Sequence, residues 1–500
     1  MKVELAGFNV DTSVLKELEV KCGKREDITP EVLSAAYARI SRDPRNITEI
    51  RQFARTEVER SRKSNSTIIF KMGHHSVAEH AVFNMDIIGL SRFAMEELEK
   101  FRLCSYTEKS QRYITLDKDF VTPAEIRNTP LENLFTETIK LQNSAYFEFY
   151  EKLKTHVFRK NSGLAADEKN HNLLEGWAKE DARYITSLAT ESQVGLTMNA
   201  RNAELMLRRF ASSALPEINE LGAKIYEQIS VVAPSIVIFH QANDKDQKTY
   251  PELHKLLSGY SSEKQKSEKD VALVDYSKNG DLIVAAALMH ASTNLPFEDC
   301  LSQVKKMPKA KLGYIYKTSW KNHQLYDSML REYEFVNLTY NIILSSACFG
   351  QLKRHRMSTI TAQNYDPALG ITMPESIEEI GEEKRFKEVV SRSEDAYFKI
   401  LKKFPLAAPY ILNNCHRKRV LMRVNAREMY SISRLREDAH AQWDIRNVSG
   451  AMAALAKKAM PRVFGLIGGK DQYGKIYSSV FGRPPKVVAA ELPGARKISS

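Results

Sequence analysis

Between Arg436 and Ile445 the chain reads Arg-Glu-Asp-Ala-His-Ala-Gln-Trp-Asp-Ile, eleven residues after Asn425-Ala426-Arg427. Read as one helix, this places cations, an imidazole, an amide and an indole within about three turns. That is a heavy polar load for a helix that must also bury an apolar face. Upstream stands a second dense cluster, Arg354-His355-Arg356. A guanidinium is a permanently charged planar fork of donors, suited to phosphate and to flat anionic rings. An imidazole stacks, accepts or donates according to its protonation. The two clusters together point to a pocket for a planar polyanion such as a nucleotide or a flavin.

Other patterns carry less. His75 to His80 spells His-x-x-x-Glu-His, which has neither zincin spacing, so no metal is expected. Gly465-Leu466-Ile467-Gly468-Gly469-Lys470-Asp471 is one residue short of a phosphate-binding loop and has aspartate where Ser or Thr would hold magnesium. The five cysteines are widely spaced and form no CxxC pair, which fits a reduced protein without a disulfide framework. The start of the chain lacks the pattern of a signal peptide, and no run of apolar residues is long enough to span a bilayer. A cytoplasmic protein is expected. The net charge of +12 favours anionic partners, among which a nucleic acid is admissible but not preferred.

Elements must position these groups, and the chain of 500 residues is too long for one ordinary core. Its two halves can be laid over one another. Asn199-Ala200-Arg201 matches Asn425-Ala426-Arg427, and Lys100-Phe101-Arg102 matches Arg354-His355-Arg356. Glu79 precedes the first set and Glu334 the second. Arg102 to Asn199 is 97 positions and Arg356 to Asn425 is 69, so the first half carries an insertion, placed near Lys154 to Glu175. The expected domains are 1–240 and 271–500, joined by a charged, weakly periodic linker over 241–270. Helical periodicity runs through Val32 to Arg42, Ser91 to Phe101, Ala203 to Phe210 and Glu217 to Ile229, then Asp281 to His290, Lys384 to Lys403 and Ser449 to Met460. Ala81 to Ile88 and Phe335 to Leu344 read as strands. The fold class is α+β: two tandem domains, each with helices around a central antiparallel sheet. The tail after Arg483, with Pro484-Pro485 and Pro493-Gly494, reads as a loose end.

In these motifs the chain resembles the flavin-dependent thymidylate synthases. That family carries Gly-His-x-Ser-x-x-Glu-His, Arg-His-Arg-x-x-Ser with a downstream Ser-x-Arg-Tyr, Asn-Ala-Arg, and Leu-Arg-x-Asp-x-His-Ala-Gln-Trp-Glu/Asp-Ile. Gly73 to His80 looks like the first. Arg102 to Ser105 with Ser110-Gln111-Arg112-Tyr113 looks like the second, but with Lys100-Phe101 in place of Arg-His. Arg354 to Thr359 keeps Arg-His-Arg, while its downstream part has become Asn364-Tyr365-Asp366. Leu435 to Ile445 matches the last motif almost fully, and its counterpart Arg209 to Ile218 keeps the arginine but neither the histidine nor the tryptophan. The resemblance spans nearly the whole chain as two copies.

The resemblance implies reductive methylation of dUMP to dTMP, with methylenetetrahydrofolate as one-carbon donor, FAD as redox cofactor and NADPH as its reductant. It implies that Arg436, His355 and Arg209 act on the reacting groups. Arg354, His355 and Arg356 would contact flavin and folate; Asn425, Arg427 and His440, with Asn199 and Arg201, would hold flavin as well. His74, Ser76 and Glu79 would lie on the adenine and ribose side. Ser110, Arg112, Arg183, Arg209, Arg436, Gln351 and Glu108 would bind the nucleotide. Arg183 has Pro409 as its second-copy counterpart. The family is tetrameric with sites between subunits, so a tandem chain is expected to form a homodimer that rebuilds a pseudo-tetramer. The copies have lost complementary residues, and at most half of the pseudo-sites are expected to work. A flavoenzyme of this fold acting on another pyrimidine or an RNA base, and a non-catalytic binder of flavin or nucleotide, are the alternatives.

Overall fold

The computed structural model describes residues 1–8, 12–23, 29–31, 35, 53, 56–66, 75–112, 119–260 and 269–486. His74, Tyr113, the end of the tail and, apart from Ala35, the expected helix over Val32 to Arg42 lie outside them. The chain divides into two compact units, residues 1–266 with 373–415, and residues 267–372 with 416–500. Among the described residues no helix is long and apolar enough to cross a membrane.

The first unit is built on a four-stranded antiparallel sheet in the order β1-β2-β4-β3: β1 Lys2–Gly7, β2 Val82–Ser91, β3 Ser105–Glu108 and β4 Glu191–Asn199. Phe83, Met85 and Ile87 of β2 alternate onto the buried face and meet Val194, Leu196 and Met198 of β4. Each such side chain contributes roughly 1.5–3 kcal/mol by leaving water. Helices α1 Arg92–Leu98, α2 Pro130–Lys160, α3 His171–Ala182, α4 Ala200–Ala211 and α5 Pro216–Val232 surround the sheet. The polar stretch expected as an insertion is the end of α2, a short helical turn and the start of α3. α2 carries Phe135, Ile139, Tyr146, Phe149, Leu153 and Val157 on one buried stripe, against which helix Glu383–Leu401 packs. The expected linker contains α6, Asp244–Leu257. Asn243 caps its start by accepting from the Asp246 amide, which is why a charged, weakly amphipathic stretch is helical there.

The second unit repeats the plan with a sheet in the order β5-β6-β8-β7: β5 Val271–Tyr276, β6 Asn337–Ser345, β7 Thr359–Tyr365 and β8 Arg417–Asn425. Around it lie α7 Gly280–Ser292, α8 Ser346–Leu352, α9 Ala426–Arg436 and α10 Trp443–Ala459. Leu338, Tyr340, Ile342 and Leu344 of β6 face Val420, Met422 and Val424 of β8 in one core. Gly280 sits where a Cβ would lie 2.0 Å from the Met460 sulfur, so this position has no room for a side chain.

The repeat extends to individual hydrogen bonds. Asn199 ends β4 opposite Val82, and its side chain accepts from the Asn202 amide (2.9 Å). Asn425 ends β8 opposite Asn337, and its side chain accepts from the Glu428 amide (2.8 Å). Each asparagine thus closes a strand and caps a helix. Ser91 caps α1 and donates to Glu217 (2.6 Å); Ser345 caps α8 and donates to Asp444 (2.6 Å).

Ser345→Ala removes a helix cap and the hydrogen bond to the buried Asp444 carboxylate together, and is expected to destabilise the second unit by about 2–3 kcal/mol. Asn425→Ala, which removes only a cap, is expected to lose about 1 kcal/mol. Urea unfolding followed by far-UV dichroism checks both; equal losses for the two variants would contradict the assignment of a second role to Ser345.

Candidate active site

The stretch from Arg436 to Ile445 is not one helix. α9 ends at Arg436, residues 437–442 form a turn, and α10 begins at Trp443. The break has a local cause: the Asp438 carboxylate accepts from the His440 amide (3.0 Å) and meets its Nδ1 (2.8 Å), a side-chain turn that competes with helix. It leaves the His440 side chain 77% exposed.

Arg436, at the end of α9, reaches back to the loop after α8. Its Nε donates to His355 Nε2 (2.9 Å) and its Nη2 to the Gln351 carbonyl (3.3 Å). The other ring nitrogen, Nδ1, lies 3.3 Å from a Glu428 carboxylate oxygen. Arginine can only donate, so Nε2 must accept, and the imidazole proton sits on Nδ1 and points to Glu428. Burial pulls the His355 pKa below its usual value; the Glu428 hydrogen bond opposes this, and the Arg436 charge adds to it. His355 is therefore held neutral in a fixed tautomer. Gln351, also buried, donates to Gln442 (2.9 Å). Arg354 is exposed and Arg356 half-buried, on either side of His355.

Glu428 also lines a cleft of ≈ 340 Å³ within the second unit. Asn425, with Arg427 and Arg434 of α9, forms one wall, and His323 with residues 325–329 the other. Arg427 is fixed by the Met329 carbonyl and by Glu334 (both 2.7 Å). Arg434 donates to the Leu325 carbonyl (2.5 Å) and lies 4.2 Å over the Tyr473 ring. Its Nε, like His323 Nε2, is buried without a hydrogen-bond partner among the described residues. Leu325, Met329, Met357, Leu435, Tyr326 and Tyr430 supply apolar surface.

In the first unit the equivalents diverge. Arg201 pairs with Glu79 (2.5 Å) as Arg427 does with Glu334, and Ser76 is exposed nearby in sequence. Phe101, at the position of His355, packs edge-on against Phe210 (5.7 Å). Phe210 takes the Arg436 position in the helix register set by Asn199 and Asn425; Arg209, expected to match Arg436, lies one residue earlier and pairs with Asp246 (3.1 Å). What this unit keeps is a buried polar cluster at the end of β3. Glu108, its side chain 2% exposed, pairs with Arg92 (2.6 Å). Burial opposes the Arg92 charge, but Glu108, Glu96 and Glu99 outweigh it and raise the pKa. Ser110 accepts from the Arg112 amide (3.1 Å), and Arg112 grips Glu180 with two nitrogens (2.9 and 2.8 Å). Arg183 is buried; burial lowers its pKa, Glu180 opposes this, and Arg112 and Arg92 lower it further. Asn414 joins the Arg183 carbonyl (3.1 Å) to the Gln111 amide oxygen (3.5 Å). Among the described residues three buried donors in this cluster have no hydrogen-bond partner: Arg183 Nη2, Arg92 Nε and Gln111 Nε2. Each is a donor that an anionic oxygen could satisfy.

Sequence reasoning missed Glu428, Arg434, Arg92, Glu180 and Asp246. Glu428 had a signal: Asn425-x-x-Glu428 has capping-box spacing. The structure uses its amide for the cap and turns the carboxylate to His355.

Helices around two antiparallel sheets, with motif residues at equivalent strand-to-helix junctions, define a duplicated α+β protein. The family described as Thymidylate synthase complementing protein matches residues 26–235 and 272–462. The chain belongs to that family, in two successive copies. A flavin-dependent thymidylate synthase of Clostridium tetani is 28% identical over 210 residues, 41% of this chain and 80% of that relative. The UPF0159 protein of Chlamydia muridarum is 23% identical over 406 residues, 77% of each chain. A solved thymidylate synthase X of Helicobacter pylori, with FAD and dUMP, is 18% identical and aligns with 50% of this chain and 100% of its own at a TM-score of 0.28.

Because the His355 pKa is depressed in the fold, its contribution to stability is complete above the unfolded value of 6.5 and is lost as pH falls below it toward the folded pKa. Long-range proton–nitrogen spectra of the imidazole are expected to show a neutral ring with the proton on Nδ1 at pH 7. A proton on Nε2, or an imidazolium, would contradict the network.

Proposed function

We propose that the chain is a flavin-dependent thymidylate synthase that converts dUMP to dTMP with methylenetetrahydrofolate, FAD and NADPH. The observation that carries the reading is the Glu428–His355–Arg436 hydrogen-bonded chain, which starts in the wall of a cleft and ends on the arginine of the last motif. The residues present fit a flavin. The cleft is at the small end of the range for ligand pockets, roughly 300–1,000 Å³. It offers apolar and aromatic surface for a ring system, and Arg434 Nε and His323 Nε2 are buried donor or acceptor atoms in search of a partner. When bound, FAD would supply the reducing equivalents for the transferred carbon.

The chain's own residues position and stabilise. Arg427 and Arg434 bring guanidinium donors for a pyrophosphate to a cleft that Asp327, Glu334 and Glu428 also line, with Asn425 at the start of their helix. His355, neutral, has Nε2 engaged as an acceptor, so it orients the Arg436 guanidinium instead of transferring a proton there. Arg436 is then preorganised to stabilise negative charge that develops on a uracil ring. In the first unit, Arg183, Arg92 and Gln111 supply the unpaired donors for the nucleotide phosphate, beside Ser110 and Arg112. A homodimer would supply the tetrameric arrangement of the family.

One observation favours a second reading, a flavoenzyme of the same fold with another pyrimidine substrate. Asp366 stands where the motif has arginine, and its carboxylate is spent on capping the turn at Ala368 (2.9 Å).

The purified protein is expected to be yellow and to form dTMP from dUMP, methylenetetrahydrofolate and NADPH. Arg436→Ala is expected to lower that rate at least about 100-fold. A flavin-loaded protein that makes no dTMP would replace this reading with the second one.

A further inference from the structure

We propose that Arg208 and Arg209 form an anion site that Asp246 occupies in the resting chain, and from which a phosphate-bearing ligand displaces helix α6. Asp246 is the only buried residue of α6; its other residues are exposed. The helix is therefore held to the unit by a charge and not by an apolar face. The Asp246 side chain is 0% exposed, with one oxygen 2.8 Å from Arg208 Nε and the other 3.1 Å from Arg209 Nη1. Among the described residues neither oxygen has an aligned hydrogen-bond donor, and Arg208 Nε has no aligned acceptor. A desolvated carboxylate compensated by charge alone is weakly held. A pyrophosphate or phosphate ester brings more negative charge and acceptors on several sides, which match two guanidinium forks better than one carboxylate does.

The rest of α6 does little to resist. It is 14 residues long, with Pro251 inside it, and isolated helices of that length are marginal in water. The chain just before it is anchored. Glu204 of α4 accepts from the Ile238 and Phe239 amides (both 3.1 Å), and His240 stacks on Tyr226 at 3.6 Å. Residues 241–243 are thus the place where a helix could swing while its root stays fixed. The arginines are accessible: Arg208 is 28% and Arg209 40% exposed even with Asp246 in place. α6 therefore works as a strap whose internal anion reserves the first copy's arginine pair for a ligand with a stronger one.

Hydrogen exchange of the full-length protein, read by mass spectrometry, tests this with inorganic pyrophosphate and no flavin or dUMP, so its outcome is independent of the thymidylate synthase reading. Saturating pyrophosphate is expected to speed exchange of residues 244–257 at least about fivefold while residues 216–232 stay unchanged. Asp246→Asn is expected to produce the same acceleration without pyrophosphate, and Arg208→Gln with Arg209→Gln to abolish the pyrophosphate response. Exchange of 244–257 that pyrophosphate leaves unchanged or slows would overturn the proposal, as would wild-type exchange in Asp246→Asn. If Asp246→Asn also speeds 216–232, the variant has loosened the whole unit and the wild-type response to pyrophosphate decides.

Discussion

The strand-to-helix junction at Asn199 and Asn425 is the constraint on which each unit depends. The asparagine must be the last paired residue of a central strand and the cap of the next helix at once. That double duty fixes where the helix starts and its rotation. The second residue of the helix is then the arginine that meets Glu79 or Glu334, and in the second unit Arg436 at its end faces the loop after α8. The serine-to-acid bonds, Ser91 with Glu217 and Ser345 with Asp444, tie the following helix to the same frame. Small changes on this frame alter chemistry without altering fold.

Those changes have gone in opposite directions. In the second unit the helix carries Glu428, His355 faces it, and a neutral imidazole orients Arg436. In the first unit Asn202 stands at the Glu428 position, Phe101 packs on Phe210, and Arg209 is taken by a carboxylate. The short edge strand and the loop after it show the reverse. The first unit keeps Glu108, Ser110 and Arg112 in a buried network with Arg92 and Glu180, whereas the second has Ala362, Asn364 and Asp366 there.

The sequence showed the repeat, the fold class and β2 and β6, because their apolar alternation is strong. β4 and β8 were harder. Ser192, Val194, Leu196 and Met198 alternate inward, but Gly195 and polar neighbours dilute the pattern, and β8 opens with Arg417-Lys418-Arg419. Lys418 is nonetheless buried, because its ammonium lies 4.3 Å over the Phe349 ring and 3.9 Å over the Tyr365 ring. No local pattern reveals that. Nor could periodicity show that Asp438 would turn back and end the helix at Arg436, or that a carboxylate in a charged linker would be buried between two arginines. The motif residues were legible individually; their partners depend on tertiary contacts between segments far apart in sequence.

The two copies are no longer equivalent: the hydrogen-bonded chain Glu428–His355–Arg436 belongs to the second, and the first has Asn202, Phe101 and Phe210 at those positions. Equilibrium titration of flavin-stripped protein with FAD, followed by the change in flavin absorbance, measures this most directly. Saturation is expected at no more than one FAD per 500-residue chain. Saturation at one FAD per copy, two per chain, would contradict it.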